Sequence, residues 1–258
     1  MISPALTPHP LLAGRGLWIL TWRSQLRWRR LPMLVIMAGF LPLLAFLTVG
    51  EGRSEVFFDW TVDFYLSLLL PLYSLSVCGA MIRDELQANT IGFLLTRPVR
   101  RSWLFLLKFV CNLGWVQLMG LVVAGLLLLV GTSRQIDQLT AFAPIFLGAQ
   151  VLAIFAYGAL GALFGLIGQR YMVLGVIYGA VVEVGIGQLP TNLNNLSLLR
   201  HLHTLLANIE PLQPFYDWSP DRTWFSILIL LVAPVIVLAV GAVLFTLREY
   251  HATEEMRK

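Results

Sequence analysis

The sequence has few charged residues. Only 12% of its 258 residues are Asp, Glu, Lys or Arg, whereas 58% are hydrophobic. Soluble domains usually carry about 25% charged and about 45–50% apolar residues. The composition therefore predicts a membrane protein with short loops and no room for a soluble catalytic domain. The net charge of +4 is consequently no sign of nucleic-acid binding, and no nucleic-acid partner is predicted.

Motifs for covalent chemistry are also missing. The chain contains neither a GxxxxGK[ST] P-loop nor a GxGxxG motif, so we expect nucleotide energy to come from another chain. HExxH, CxxC and any Ser/His/Asp grouping are absent too. Cys78 and Cys111 lie apart in apolar runs and are interpreted as small buried hydrophobic residues. The sequence thus predicts no catalytic residue, no metal site and no cofactor bound by this chain.

The chain does contain a series of apolar stretches, each long enough to cross a bilayer, which takes roughly 20 residues. They predict an all-α membrane protein with six transmembrane helices, at about 32–50, 60–82, 103–130, 143–167, 172–188 and 224–247. Residues 13–31 precede them and place arginines and tryptophans on different helix faces. This pattern favours an amphipathic helix in the headgroup region, and the alternative is a basic flank that only sets topology.

The distribution of Lys and Arg predicts the orientation. If both termini are inside, 14 of these residues fall on the inner side and 4 in the outer loops, which accounts for all 18. Inner loops of membrane proteins are enriched in Lys and Arg. The count therefore predicts that both termini lie in the cytoplasm.

The longest predicted outer segment is 189–223, after the fifth span. Leucines recur in it at helical spacing, and Pro211 and Pro214 then end the pattern. Two interpretations remain open at this point. The helix either lies along the outer surface or packs as an ordinary loop helix.

Two acidic residues fall within the predicted spans. Asp63 is near the outer start of the second, and Glu183 lies inside the fifth. Charges at membrane depth are costly and usually face protein or water. Either residue could belong to a polar substrate path or an outer gate, or else be solvated near the interface. The solvated interpretation is favoured for Asp63, and both remain open for Glu183.

Small residues recur in the fourth and fifth spans. Gly161 and Gly165, and likewise Gly175 and Gly179, have the small-xxx-small spacing that lets helices approach closely. We expect this spacing to serve packing within one subunit rather than between subunits.

Between the second and third spans the chain reads RDELQANTIGFLLTRPVRRSWLFLLK over residues 83–108. Its pattern of residue types is carried, in order, by Glu85, Thr90, Ile91, Leu94, Leu95, Thr96, Pro98, Arg101, Leu104 and Lys108. Together with the N-terminal helix, six spans and inward termini, this pattern resembles the ABC-2-type permeases of ATP-binding-cassette transporters. One departure is Asn89, where such permeases often have Gly, although Asn also tolerates a left-handed backbone.

The resemblance implies a coupling helix at 83–95 that docks into a cytoplasmic ABC ATPase subunit, which carries ATP and Mg. Asp84 and Glu85 near a helix start would suit its dipole, and the apolar residues after them would fill a partner groove. The implied contact set is Arg83, Asp84, Glu85, Asn89, Thr90, Ile91, Phe93, Leu94 and Leu95. The alternative is an interfacial hairpin that only carries positive-inside residues.

The predicted function is therefore that of a permease subunit in a bacterial inner membrane, which couples a partner's ATP hydrolysis to export. A second permease chain, identical or not, and membrane lipid would be its further partners. One alternative is a non-transporting subunit that transmits force to a periplasmic protein at 189–223, in maturation or envelope remodelling. A secondary transporter would need coupling-ion residues at mid-membrane and internal repeats, and the sequence shows neither.

Overall fold

The computed structural model describes residues 16, 18, 19, 22, 32, 35–87, 101–187, 192–208 and 222–247, without the side chains of 84–87 and 192–193. Within these ranges the chain is helical and has no β-strand. The predicted all-α class is therefore confirmed. Of the implied ATPase contacts, Asn89 to Leu95 lie outside the described residues, as do the side chains of Asp84 and Glu85.

Seven helices are labelled here in chain order. Three of them contain π-helical stretches, which are Ile36–Phe40, Asp59–Leu69 and Gly179–Ile186. The helices are α1 (Ile36–Phe40 and Leu41–Thr48), α2 (Ser54–Phe58, Asp59–Leu69 and Leu70–Gln87), α3 (Arg101–Ser133), α4 (Leu139–Ile167), α5 (Tyr171–Tyr178 and Gly179–Ile186), α6 (Leu198–Ala207, after the 3-10 turn Asn192–Leu196) and α7 (Thr223–Leu247).

Four of these helices are long and apolar enough to cross a membrane. They are Ser54–Arg83, Arg101–Ser133, Leu139–Ile167 and Thr223–Leu247, and they contain the second, third, fourth and sixth predicted spans. The apolar helices at the first and fifth positions, Ala38–Thr48 and Tyr171–Ile186, are shorter over the described residues. The structure thus supports a multi-pass protein with four candidate spans.

Helices α2 and α4 pack backbone to backbone. A Cβ atom added at Gly161 would lie 2.7 Å from the Leu75 carbonyl oxygen, and one at Gly165 would collide with the Gly79 carbonyl. Any larger residue would push these helices apart, because neither backbone can move independently of its helix. The Gly161/Gly165 spacing therefore serves contact within the subunit, as predicted.

The helix ends gather at two opposite faces. At one face, the Gly52 N–H donates to the Arg134 carbonyl at 3.1 Å and joins loops 49–53 and 134–138. At the other, α2 and α4 approach their C-termini side by side, where Arg83 Nε donates to the Gly165 carbonyl at 2.8 Å. We call these the 49–53 face and the Arg83 face. In the predicted topology they are the outer and inner faces.

Part of the predicted N-terminal helix is described. Trp18 and Trp22 are helical, with ring centroids 5.1 Å apart, and Trp22 makes an edge contact with Trp115 of α3 at 5.3 Å. The remaining residues of 13–31, except Gly16 and Ile19, lie outside the described residues. The two tryptophans therefore pack against the helical body.

The segment after α5 is also packed into the body. Helix α6 buries Leu202 and Leu206 fully, and its polar residues His201 and Thr204 are buried as well. A helix lying along a surface would leave its polar face exposed. Of the two interpretations for 189–223, the packed loop helix fits the described part of that segment.

Candidate functional site

Two polar features of the structure contain residues that the sequence analysis singled out as candidate site residues. The first is at the Arg83 face, at the start of the predicted coupling element. Arg83 is half-buried, and its Nε atom donates to the Gly165 carbonyl. This carbonyl lies near the C-terminus of α4, where the last carbonyls lack intrahelical partners and favour cations. Arg83 therefore ties the last turns of α2 to the end of α4.

A second cation reinforces the same end of α2. Lys108 of α3 is buried, and its ammonium group donates to the Met81 carbonyl at 3.2 Å. A buried ammonium is expensive unless it is hydrogen-bonded. Arg83 and Lys108 thus attach the C-terminal part of α2 to two neighbouring helices. The helix that precedes residues 88–100 is therefore held near its end by two hydrogen bonds to neighbouring helices.

The second feature is a buried carboxylate. Glu183 in the π-helical part of α5 is only 8% exposed, although it lies in a predicted span. Its Oε1 atom accepts a hydrogen bond from the Tyr157 hydroxyl of α4 at 3.1 Å. Its Oε2 atom accepts one from the Ser197 hydroxyl at 2.6 Å and one from the Leu199 N–H at 3.0 Å.

We call this set the Glu183 cluster: Tyr157, Tyr178, Glu183, Ser197 and the Leu199 N–H. The Tyr178 side chain also interacts with the carboxylate from within α5. A carboxylate offers about four acceptor positions, so donors of the protein occupy them here. Glu183 is therefore hydrogen-bonded by protein groups from three helices.

The cluster also uses the N-terminus of α6. Ser197 is the residue before this helix, and its hydroxyl oxygen accepts the Arg200 N–H at 3.1 Å. The Leu199 N–H is one of the first amides of the helix, which have no intrahelical partner. A negative charge at that position is stabilised by the helix dipole. The Glu183 carboxylate therefore caps α6 from a different helix.

The position of Tyr157 along α4 shows how deep in the helical body its contact with Glu183 lies. Tyr157 is 18 residues after the first residue of α4, or about 27 Å along its axis at 1.5 Å per residue. That point is past the middle of a helix long enough to cross a bilayer. The Glu183 cluster, which includes the start of α6, therefore lies near the middle of a candidate span and not at its end.

Two histidines hold the rest of α6. His201 Nδ1 is 3.1 Å from the Ser226 hydroxyl of α7, and its Nε2 is 3.0 Å from the Asn195 carbonyl. His203 Nε2 is 2.9 Å from the Ser67 hydroxyl of α2. Burial lowers the pKa of His203 to about 4. This ring is therefore neutral at neutral pH, as its position beside apolar helices requires.

Asp63 occupies a different environment. It lies on the exposed side of α2, and among the described residues it forms no hydrogen bond or ion pair. Trp60 and Phe64 on the same helix make an edge contact at 5.2 Å beside it. Asp63 and Glu183 are not hydrogen-bonded to each other. The two predicted gate residues therefore do not form one polar site in the single chain.

Asp63 and Glu183 nevertheless share one backbone property, because each lies in a π-helical stretch. Such stretches are rare and are often found at functional sites. Within the described residues no group of three His, Cys, Asp or Glu side chains is placed to hold a metal ion.

Sequence reasoning identified Glu183 but not its partners. Tyr157 sits among apolar residues in the fourth span, where nothing distinguishes a donor from a core aromatic residue. Ser197 had a usable signal, because a Ser directly before a leucine-rich helical pattern is a common N-cap. Tyr157 and Ser197 are distant from each other in the sequence, so their hydrogen bonds to Glu183 depend on tertiary packing.

Comparison with known families gives one match. The model of the family described as ABC-2 family transporter protein matches residues 25–185, more than half of the chain. The matched range includes the 83–95 element, Arg83, Lys108 and Glu183. Comparisons with characterised proteins and with solved structures gave no match.

Proposed function

The chain belongs to the ABC-2 family of transporter proteins, and on this basis we propose that it is the permease subunit of an ABC transporter. A separate ATPase subunit hydrolyses ATP, and this chain couples that hydrolysis to export of a substrate. The family match across 83–95 carries the proposal. The anchored helix end that leads into this element supports it.

In the proposed topology the chain crosses a bacterial inner membrane six times, with both termini in the cytoplasm. The excess of Lys and Arg in the inner segments supports this orientation. The two short apolar helices, Ala38–Thr48 and Tyr171–Ile186, would be the first and fifth spans. Two such chains, identical or not, would assemble with two ATPase subunits.

Residues 83–95 are proposed as the docking element, in which Glu85 and the Asn89 to Leu95 stretch contact the ATPase. ATP and Mg would bind to the ATPase subunit and not to this chain. Arg83 would act mainly by holding α2 against α4, so that ATPase movement is transmitted into the spans. Closure of the ATPases would then shift these helices between two states of different affinity for the cargo.

Glu183 is proposed to belong to the outer gate. Its contacts join α4, α5 and α6, and these are the helices that a movement of the fifth span would separate. Breaking the Glu183 cluster would release the start of α6 from the middle of α4. Asp63, on the exposed side of α2, lies outside this cluster, and solvation near the interface remains its favoured interpretation.

Purification from the native membrane in mild detergent tests the assembly. We expect an ABC ATPase to co-purify with the permease at a ratio of one to one. If no ATPase is present, the proposal is wrong. A periplasmic protein bound to 189–223, together with no solute-dependent ATPase activity in liposomes, would instead indicate the force-transmitting role.

Deleting residues 89–95 tests the docking element within that complex. We expect the deleted chain to insert into the membrane but to lose ATPase stimulation, and Glu85→Gln to weaken it. Glu51→Gln is the matched control, because this glutamate lies in the loop at the opposite face. Coupled transport by the deletion variant would contradict docking at this element.

A further inference from the structure

A groove on the outside of the chain lies between α1 and the last two turns of α3. It has a volume of about 430 Å³, within the range of roughly 300–1,000 Å³ that is typical of small-molecule pockets. Its lining is apolar apart from one hydroxyl and comprises Ala38, Gly39, Pro42, Leu43, Phe46, Leu126, Leu129, Val130 and Ser133. That hydroxyl already donates to the Val130 carbonyl at 2.8 Å, so the groove needs no polar occupant.

The groove exists because α1 presents small residues to α3 at this point. Gly39 lines it, and a Cβ atom added there would meet no heavy atom within 4 Å. Leu43 and Leu129 remain more than half exposed on either side. In the proposed topology α3 crosses the bilayer, so an apolar groove on its outer side is open to lipid hydrocarbon. Leaving it unfilled would forfeit the contacts that an acyl chain can make.

The cationic side chain of Arg134 lies at one end of this groove. Arg134 follows Ser133 directly, and its guanidinium lies 4.3 Å from the centre of the Phe46 ring. One of its terminal nitrogens, Nη2, donates to the Phe46 carbonyl at 2.6 Å. Its own backbone carbonyl accepts the Gly52 N–H. The side chain is therefore held in place at the end of α3.

The positive charge of Arg134 is not neutralised by the described part of the chain. Glu51, Glu55 and Asp137 lie in or beside the same loops, yet none of them forms an ion pair with it. Its Nε atom is buried and has no hydrogen-bond partner. Because Nε is buried, an external anion would bind the terminal nitrogens of the guanidinium, whose planar arrangement matches phosphate oxygens.

We propose that this groove is a binding site for a single anionic phospholipid. One acyl chain lies between α1 and α3, and the phosphate binds the Arg134 guanidinium at the 49–53 face. The apolar length of the groove and a fixed cation at its end match the two parts of such a molecule. Apolar contacts from a second copy of this chain would not by themselves neutralise this cation.

Native mass spectrometry of the full chain, stripped of lipid and titrated with phosphatidylglycerol or diacylglycerol, tests the proposal. We expect one phosphatidylglycerol to bind, and diacylglycerol, which lacks the phosphate, to bind much more weakly. Arg134→Gln should weaken phosphatidylglycerol binding by about tenfold or more, since it removes charged hydrogen bonds. Arg53→Gln in the neighbouring loop is the matched control and should leave binding unchanged.

Filling the groove gives an independent test that does not depend on Arg134. Gly39→Leu should block the lipid, whereas Gly125→Leu, at a position on α3 that is also open, should not. A photo-crosslinking residue in place of Leu129 should label phosphatidylglycerol. Unchanged binding in both Gly39→Leu and Arg134→Gln would overturn the proposal, as would crosslinking of Leu129 to a second copy instead of lipid.

Discussion

The Ser197 hydroxyl donates a 2.6 Å hydrogen bond to the Glu183 carboxylate. This contact joins the π-helical end of α5 to the first residue before α6. Both groups are buried, and the same carboxylate also accepts the Tyr157 hydroxyl from α4. A single acidic side chain thus connects three helices near the middle of the membrane-spanning body.

Replacing Glu183 with Gln should loosen α6. The amide retains one acceptor oxygen, but it loses the charge and offers N–H groups where the carboxylate accepted donors. Charged hydrogen bonds contribute about 1.5–3 kcal/mol, so we expect a loss of stability of about 1–3 kcal/mol. Hydrogen exchange of residues 198–207 in detergent should become faster, while that of α3 remains unchanged.

Asp63→Asn is the matched control for this variant. Asp63 is also an acid in a π-helical stretch of a candidate span, but it is exposed and has no partner among the described residues. Its replacement should leave exchange in α6 as it is. Equal exchange rates for Glu183→Gln and the unaltered chain would show that the carboxylate does not hold this helix.

Gly165→Ala should destabilise the contact between α2 and α4. The added methyl group would collide with the Gly79 carbonyl, a backbone atom that cannot rotate away. Overpacking of this kind costs about 1–3 kcal/mol. Gly148→Ala in the same helix meets no atom within 4 Å and should be neutral or slightly stabilising. Thermal unfolding in detergent would compare the two, and equal midpoints would contradict close packing at Gly165.

Much of this fold could be predicted from hydropathy alone, because residues 54–83, 101–133, 139–167 and 223–247 form continuous apolar helices. The Gly161/Gly165 spacing also gave the right contact, since small residues at i and i+4 lie on one face. The burial of α6 could not be predicted. Its leucine stripe shows which face is apolar. The His201 ring reaches the Ser226 hydroxyl of α7 only through tertiary packing, whereas the buried Thr204 hydroxyl bonds to the Arg200 carbonyl within α6.

The stability of the protein should fall as the pH drops from about 6.5 towards 4. An unfolded His has a pKa near 6.5, whereas burial lowers the pKa of His203 to about 4 in the fold. Between these values the unfolded chain binds a proton that the folded chain excludes, so stability is fully present above the unfolded pKa and is lost below it. The loss should reach about 1–3 kcal/mol.

His203→Gln should remove this component of the pH dependence, since glutamine does not titrate. The amide can still bond to the Ser67 hydroxyl, as the His203 ring does. The measurement is the unfolding midpoint of both chains at pH 7.5 and pH 5. An identical drop in both would assign the pH dependence to other groups.

Arg83→Gln should separate anchoring from ATPase contact at the start of the 83–95 element. Because Arg83 Nε bonds to the Gly165 carbonyl, its loss should free the end of α2 from α4. We expect the ATPase subunit still to co-purify with this variant, while stimulation of ATP hydrolysis by the permease falls several-fold. Glu85→Gln should differ by also weakening co-purification of the ATPase, because this residue is proposed to contact it. If Arg83→Gln instead released the ATPase while leaving the α2–α4 contact intact by hydrogen exchange, Arg83 would be a docking residue and not an anchor.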